Sequence, residues 1–199
     1  MYTAVRRIAS EVTLLGGFAQ PTQGLHVAIE QIVRAAPFRH FKTPGGRVMS
    51  AAQSNCGPWG WLSDSRGYRY ESLDPLTGAA WPAMPESFMH LAHCAAAAAG
   101  YANFIPDACL MNHYGPAAQM GTHRDADELD FIQPIVSVSL GQSATFLWYG
   151  MRRSGAAVRV RLEDGDVLVW GGAARLGYHA VQKPLTGGDR YNLTFRRAR

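Results

Sequence analysis

The chain has 199 residues, of which 47% are hydrophobic and 17% are charged, with a formal net charge of +4. These values are typical of one globular domain with a substantial core, and they exclude an intrinsically disordered chain. The mild positive charge permits a polyanionic partner without proving one.

The cysteines and the hydropathy pattern exclude further classes. Cysteines at positions 56, 94 and 109 form no Cys-x-x-Cys pair, so neither a disulfide framework nor a zinc knuckle is indicated. No apolar run reaches the length of a membrane span, and Glu11 interrupts the short apolar stretch that follows Arg6 and Arg7. We therefore expect a cytoplasmic protein without a signal peptide or a membrane segment.

The predicted elements are two helices followed by many short strands. Apolar residues at helical spacing predict helices at about 23–36 and 85–99. Between them, residues 40–80 are rich in Gly, Pro, Trp and Tyr and lack periodicity, and loops of that length are uncommon unless they are functional. Strands are predicted at 109–114, 134–140, 144–149, 157–162, 166–170, 177–181 and 190–196. This order predicts one α+β, mainly β domain over 1–199, an antiparallel sandwich or jelly roll backed by helices, with 109–199 as its core.

A His-x-Asp pair and a distant histidine form the first candidate site. Two imidazoles and one carboxylate are the protein ligands of a mononuclear non-haem Fe(II) centre with open positions. His123 and Asp125 are two residues apart, so on an extended segment both side chains leave the same face, and Arg124 points away. His179 can come from another strand. Each piece alone is weak evidence, but their order together with the C-terminal segment favours a metal site.

The last predicted strand has one polar, cationic face. Arg190, Asn192, Thr194 and Arg196 alternate with Tyr191, Leu193 and Phe195. Two guanidinium groups on one face suit a molecule with two carboxylates, because the planar fork binds a carboxylate in a bidentate way. Asn112 and Tyr114 share a face of another predicted strand, and both can donate hydrogen bonds to a carboxylate.

Taken together, these motifs resemble the AlkB family of Fe(II)/2-oxoglutarate-dependent dioxygenases that repair alkylated nucleic acid, in its bacterial form. The resemblance covers nearly the whole chain from about residue 11. The matching segments are 43–50, 55–57, 60–61, 81–85, Asn112-x-Tyr114, His123-x-Asp125-x-Asp127-Glu128, 134–141, 165–172, His179 and Arg190-Tyr191-Asn192-Leu193-Thr194-Phe195-Arg196. The chain departs from the bacterial family pattern in three places. The segment between His179 and Arg190 is shorter, Arg47 replaces an aromatic residue in the lid, and Trp59 is bulkier than its counterpart.

The resemblance implies a double-stranded β-helix with N-terminal helices, with a nucleotide-recognition lid at about 40–80 and the catalytic core at 109–199. It implies Fe(II) bound by His123, Asp125 and His179, with 2-oxoglutarate and O₂ as co-substrates. Arg190, with Asn112 and Tyr114, would hold the far carboxylate of 2-oxoglutarate. Arg196 with Asn192 would lie nearer the chelating end, and the reverse assignment stays open. The implied reaction decarboxylates 2-oxoglutarate to succinate and hydroxylates an N-methyl group, which leaves as formaldehyde.

The expected substrate contacts lie mainly in the lid. Trp61 and Tyr68 offer aromatic planes for an extruded base, and the resemblance implies that Trp61 stacks the base against the ring of His123. The Asp127 carboxylate would favour the cationic lesions N1-methyladenine and N3-methylcytosine over neutral bases. Further substrate contacts are expected from Met49, Ser50 and Arg153, and for Arg153 a phosphate contact is an equal alternative. Glu128 and Asp130 are interpreted as a solvated acidic run.

The expected partner is alkylated DNA, with single-stranded DNA or RNA as open alternatives, and the protein is expected to be a monomer. Rival functions are the same chemistry on RNA or on a methylated protein side chain, an inactive nucleic-acid-binding module, and a zinc hydrolase with the same ligands. The lid aromatics argue against a protein substrate. The intact ligand set argues against an inactive module, and the paired arginines argue against a hydrolase.

Overall fold

The computed structural model describes residues 4–185 and 187–199. Its helices are α1 (Gln23–Ala35) and α2 (Glu86–Ala98). Its strands are β1 (Ala4–Ala9), β2 (Val12–Gly16), β3 (Ala52–Cys56), β4 (Gly60–Asp64), β5 (Gly67–Glu71), β6 (Ala108–Tyr114), β7 (Met120–His123), β8 (Ile135–Gly141), β9 (Ala144–Gly150), β10 (Val158–Leu162), β11 (Val167–Trp170), β12 (Tyr178–Pro184) and β13 (Arg190–Arg196).

Two antiparallel sheets form the body of the molecule. The larger sheet has the strand order β1-β2-β11-β8-β13-β6-β3, and the smaller has the order β10-β9-β12-β7. Strands β4 and β5 form a separate hairpin. Apart from the consecutive pairs β1–β2 and β9–β10, strands that are neighbours in these two sheets come from distant parts of the chain, as in a jelly roll. The predicted jelly-roll fold is therefore confirmed.

The large sheet packs against hydrophobic layers on both faces. On its outer face the two helices cover it, and Phe88 of α2 meets Phe195 of β13 edge to face with ring centroids 5.8 Å apart. On its inner face a second cluster, which includes Phe146, Leu168 and Trp170, joins it to the small sheet. Helix α2 ends where Gly100 adopts φ +98°, a conformation that glycine adopts without strain.

Both predicted helices and all seven predicted strands are present, with ends that differ by at most three residues. The larger sheet also extends beyond the predicted core at 109–199, because β1, β2 and β3 belong to it. Strand β1 is a mostly exposed edge strand, and β3 is buried along its whole length, so neither has the alternating pattern that predicts a strand. Consequently the expected lid at 40–80 contains one strand of the large sheet as well as the β4–β5 hairpin.

Helices that are both long and apolar enough to cross a membrane do not occur in the described part of the chain.

Candidate active site

Adjacent strands bring the two candidate histidine ligands together. His123 ends β7, and His179 lies directly opposite it on β12, with ring centroids 4.3 Å apart. Asp125 follows two residues after the end of β7. One potential ligand atom from each of the three side chains lies within 4.8 Å of the others. Arg124 turns away from this cluster, and its guanidinium lies over the ring of Tyr178 at 5.4 Å.

Hydrogen bonds fix the histidine tautomers in the form that binds metal. Nδ1 of His123 lies 2.8 Å from the carbonyl oxygen of Gly121, and Nδ1 of His179 lies 3.1 Å from that of Gly177. Because a carbonyl oxygen only accepts, each Nδ1 carries the proton, and each Nε2 keeps its lone pair for a metal. Burial, with the nearby His123, lowers the pKa of His179 to about 4, so its imidazole is neutral near pH 7.

The third candidate ligand is an ionised carboxylate. Burial would raise the pKa of Asp125, but nearby cationic groups, of which Arg196 is the strongest, outweigh burial and hold the pKa well below its usual value. Oδ1 of Asp125 lies 3.8 Å from Nε2 of His123. Two imidazoles and one carboxylate fit Fe(II), whose centres with this ligand set leave positions open for other molecules.

A cavity of about 790 Å³ opens above these three side chains. That volume falls within the range typical of small-molecule sites, which are concave and largely pre-formed. Every residue predicted for metal, co-substrate or substrate binding lines the cavity: Met49, Ser50, Trp61, Tyr68, Asn112, Tyr114, His123, Asp125, Asp127, Arg153, His179, Arg190, Asn192 and Arg196.

Arg190 has spare hydrogen-bond donors inside the cavity. The residue is 1% exposed, and its Nη2 donates to Oγ of Ser139 at 2.9 Å. Its guanidinium lies 5.1 Å from the ring centre of Tyr114. Nε and Nη1 have no hydrogen-bond partner among residues 4–185 and 187–199, and burial lowers the pKa of Arg190. A buried cation with two free donors is stabilised by a bidentate carboxylate.

The other polar groups on this face of β13 already have protein partners. The Asn192 amide donates to Oγ of Ser137 at 2.8 Å and to the carbonyl of Val138 at 2.9 Å, and its oxygen accepts from Thr194 at 2.8 Å. Nη2 of Arg196 lies 2.9 Å from Oδ2 of Asp125. Among these groups, Arg190 is therefore the one with most unused hydrogen-bonding capacity.

Aromatic side chains from the β4–β5 hairpin form one wall of the cavity. Trp61 stacks on Tyr68 with ring centroids 5.7 Å apart and an interplanar angle of 14°. The indole N–H of Trp61 donates to Oδ2 of Asp127 at 2.8 Å. Burial raises the pKa of Asp127, and this hydrogen bond partly offsets the rise. The hairpin is thus joined to the loop that carries Asp125.

The remaining predicted substrate residues lie around the mouth of the cavity. Oγ of Ser50 donates to the carbonyl of Gln119 at 2.8 Å, which ties the lid to the segment before β7. Arg153 lies in the exposed loop that follows β9, and Arg47 also lines the cavity from an exposed position. Trp59, in contrast, packs under the guanidinium of Arg199.

The interpretation of Glu128 as a solvated residue is wrong. Glu128 is 4% exposed, and its Oε2 lies 3.0 Å from Nη2 of Arg175 while Oε1 lies 3.2 Å from Nε of Arg196. The sequence gives no local signal for this burial, because the two arginines lie 47 and 68 positions further along the chain. Asp130 is partly exposed, and it accepts backbone hydrogen bonds from Ile132 and Gln133 in a turn.

Comparisons with known proteins agree with this geometry. The family described as the 2OG-Fe(II) oxygenase superfamily matches residues 11–196. The alpha-ketoglutarate-dependent dioxygenase AlkB of Salmonella typhimurium is 49% identical over 198 residues, covering 96% of this chain and 92% of that protein. AlkB of Escherichia coli is 51% identical over 176 residues, covering 85% and 82%. The solved structure of OsALKBH1 superimposes with a TM-score of 0.83 at 28% identity, covering 98% of this chain and 100% of that chain.

Proposed function

The chain belongs to the AlkB family of the 2OG-Fe(II) oxygenase superfamily, and from this premise we propose that it removes alkyl groups oxidatively from nucleobases in nucleic acid. It is accordingly an Fe(II)- and 2-oxoglutarate-dependent dioxygenase. The observation that carries the proposal is one cavity that joins three metal-ligand side chains, a buried arginine with free donors and a pair of stacked lid aromatics.

His123, Asp125 and His179 would hold the iron, since their ligand atoms converge and both histidine tautomers suit coordination. When bound, the iron supplies the oxidising chemistry that couples decarboxylation of 2-oxoglutarate to hydroxylation of the substrate. The protein contributes orientation, charge control and exclusion of water. The apolar side chains of Phe146 and Trp170 beside the ligands support the last of these roles.

We assign the far carboxylate of 2-oxoglutarate to Arg190, with Asn112 and Tyr114 beside it. The two free donors of Arg190 support this assignment, because an unsatisfied buried guanidinium is costly until an anion reaches it. Arg196 adjoins Asp125, so we place it with Asn192 nearer the end of the co-substrate that chelates the metal.

We propose that the base enters between the lid and the metal ligands. Trp61 would stack on it against the ring of His123. Further contacts to the nucleotide would come from Tyr68, Met49, Ser50 and Arg153. N1-methyladenine and N3-methylcytosine carry a positive charge, and the half-buried carboxylate of Asp127 would attract them within a region of low dielectric. We therefore propose that the substrates are cationic methylated bases of this type in DNA, and that the protein acts as a monomer.

Cytoplasmic location also remains a proposal. The three cysteines at positions 56, 94 and 109 are all free, as expected in a reducing compartment.

The proposal is tested by incubating the protein with Fe(II), 2-oxoglutarate, air and oligonucleotides that carry one N1-methyladenine. Mass spectrometry should show loss of the methyl group, and the His179→Ala variant should leave the oligonucleotide unchanged. A methylated oligonucleotide that survives intact beside the wild-type protein would contradict the proposal. The same lesion in matched DNA and RNA strands separates the two nucleic acids, which differ in contacts to the 2′-hydroxyl.

A further inference from the structure

Arg175 binds the loop that carries the carboxylate ligand at three points. It follows the short 3-10 turn Gly172–Ala174 after β11, and it is 2% exposed. Its Nη1 donates to the carbonyl oxygen of Asp125 at 2.9 Å, and its Nε donates to that of Gln133 at 3.1 Å. Its Nη2 donates to Oε2 of Glu128 at 3.0 Å. All three acceptors lie between residues 125 and 133.

That loop needs such support, because residues 124–134 lie outside the strands and no sheet ladder orients Asp125. The two histidine ligands, in contrast, lie on the paired strands β7 and β12. A fixed backbone at Asp125 is required if its carboxylate is to face both imidazoles. The guanidinium of Arg175 is rigid and planar, so its three nitrogens reach three separated acceptors, whereas the three donors of a lysine ammonium share one nitrogen.

Glu128 connects Arg175 to Arg196, the arginine placed near the chelating end of the co-substrate. Its Oε1 accepts from the hydroxyl of Tyr70 at 2.7 Å and lies 3.2 Å from Nε of Arg196. Two carboxylates, of Asp125 and Glu128, thus face two guanidiniums in one buried network. Because Arg196 has Glu128 as a second anion, Asp125 can bind a metal without leaving Arg196 unpaired. An unpaired buried charge would be strongly destabilising.

We propose that Arg175 is a positioning residue for the metal site: it holds loop 125–133 so that Asp125 faces the two histidines while Glu128 retains Arg196. The proposal rests on the proposed function for the identity of the metal and its co-substrate. Arg175 does not itself line the cavity among the described residues, so it acts through Asp125 and Glu128.

The test measures metal binding separately from catalysis. Co(II), which replaces Fe(II) without oxygen chemistry, is titrated calorimetrically into the full-length wild type, Arg175→Lys and Arg175→Met. Partners outside the first ligand sphere typically change metal affinity by about 10–100-fold, and we expect both variants to lose affinity in that range. The control is Arg159→Lys, because Arg159 is exposed on β10 and bonds to Gln182 at 2.9 Å. The Co(II) affinity of Arg159→Lys should equal that of the wild type.

Circular dichroism and thermal melting identify the folded variants before titration. If neither Arg175 variant folds, Glu128→Gln is titrated instead, because it removes the charge that Arg175 binds while keeping the side-chain volume. The titrations are run well below the melting temperature of each variant. A loss of Co(II) affinity under these conditions supports the positioning role. The proposal is overturned if a folded Arg175 variant has a lower melting temperature but binds Co(II) as tightly as the wild type. If no Arg175 variant folds, the same result in a folded Glu128→Gln variant overturns it. If the wild type itself binds no Co(II), the proposed function fails instead.

Discussion

Removal of the Arg190 guanidinium should raise the 2-oxoglutarate requirement steeply. Two of its nitrogens, Nε and Nη1, have no hydrogen-bond partner in the described part of the chain, and the group is almost fully buried. A hydrogen bond to a charged group contributes about 1.5–3 kcal/mol. Each 1.4 kcal/mol corresponds to about a factor of ten. Arg190→Ala should therefore need about 10–100 times more 2-oxoglutarate for half-maximal succinate formation.

The assay follows succinate while 2-oxoglutarate is varied at fixed Fe(II). Arg190→Lys keeps the charge but loses the planar fork, so its curve should fall between those of the wild type and the alanine variant. Arg161→Ala is the matched control, since Arg161 is exposed on β10 and pairs with the exposed Glu163. Superimposable curves for Arg190→Ala and the wild type would refute the reasoning that Arg190 binds the co-substrate.

Three further outcomes are expected. Trp61→Ala should weaken oligonucleotide binding by about 1–3 kcal/mol for the lost base stack, measured by fluorescence anisotropy, and should lower repair more than it lowers substrate-independent succinate formation. Equal losses would make Trp61 a structural residue. Asp127→Asn should reduce repair of N1-methyladenine more than repair of neutral N3-methylthymine at fixed low salt, and a uniform loss would exclude charge selection. His123→Ala and Asp125→Ala should stay folded and lose demethylation, and full activity in either would remove that residue from the ligand set.

Local periodicity explains why the last strand could be predicted from the sequence. Alternation along β13 directs Arg190 and Arg196 into the cavity, while Leu193 and Phe195 pack against the helices. A period of two needs only the strand itself. The His-x-Asp spacing also predicts that His123 and Asp125 converge, although Asp125 lies beyond the end of β7, where its backbone carbonyl is bound by Arg175. The strand pairing that sets His179 opposite His123 follows from the topology, which the resemblance supplied.

The buried ion network could not be predicted in this way. Glu128 belongs to an acidic run that would be solvated on an exposed loop, and its burial depends on Arg175 and Arg196 from distant strands and turns. Tyr70 reaches the same carboxylate from the lid hairpin. Burial of a charge is decided by its partners in three dimensions, so a local pattern carries no information about it. Strand β3 is also buried along its whole length although Gln53, Ser54 and Asn55 are polar, so its sequence has no alternating signal either.

The most direct test of the central claim is the stoichiometry of products with a methylated oligonucleotide. Formaldehyde and succinate are quantified in the same reaction after air is admitted to the anaerobic protein with Fe(II), 2-oxoglutarate and an N1-methyladenine strand. If the three ligands and the lid act in one cavity, formaldehyde should rise in step with succinate when the strand is methylated. With the unmethylated strand, no formaldehyde should form and succinate formation should not be stimulated. Succinate formed at the same rate with either strand, without formaldehyde, would contradict the account.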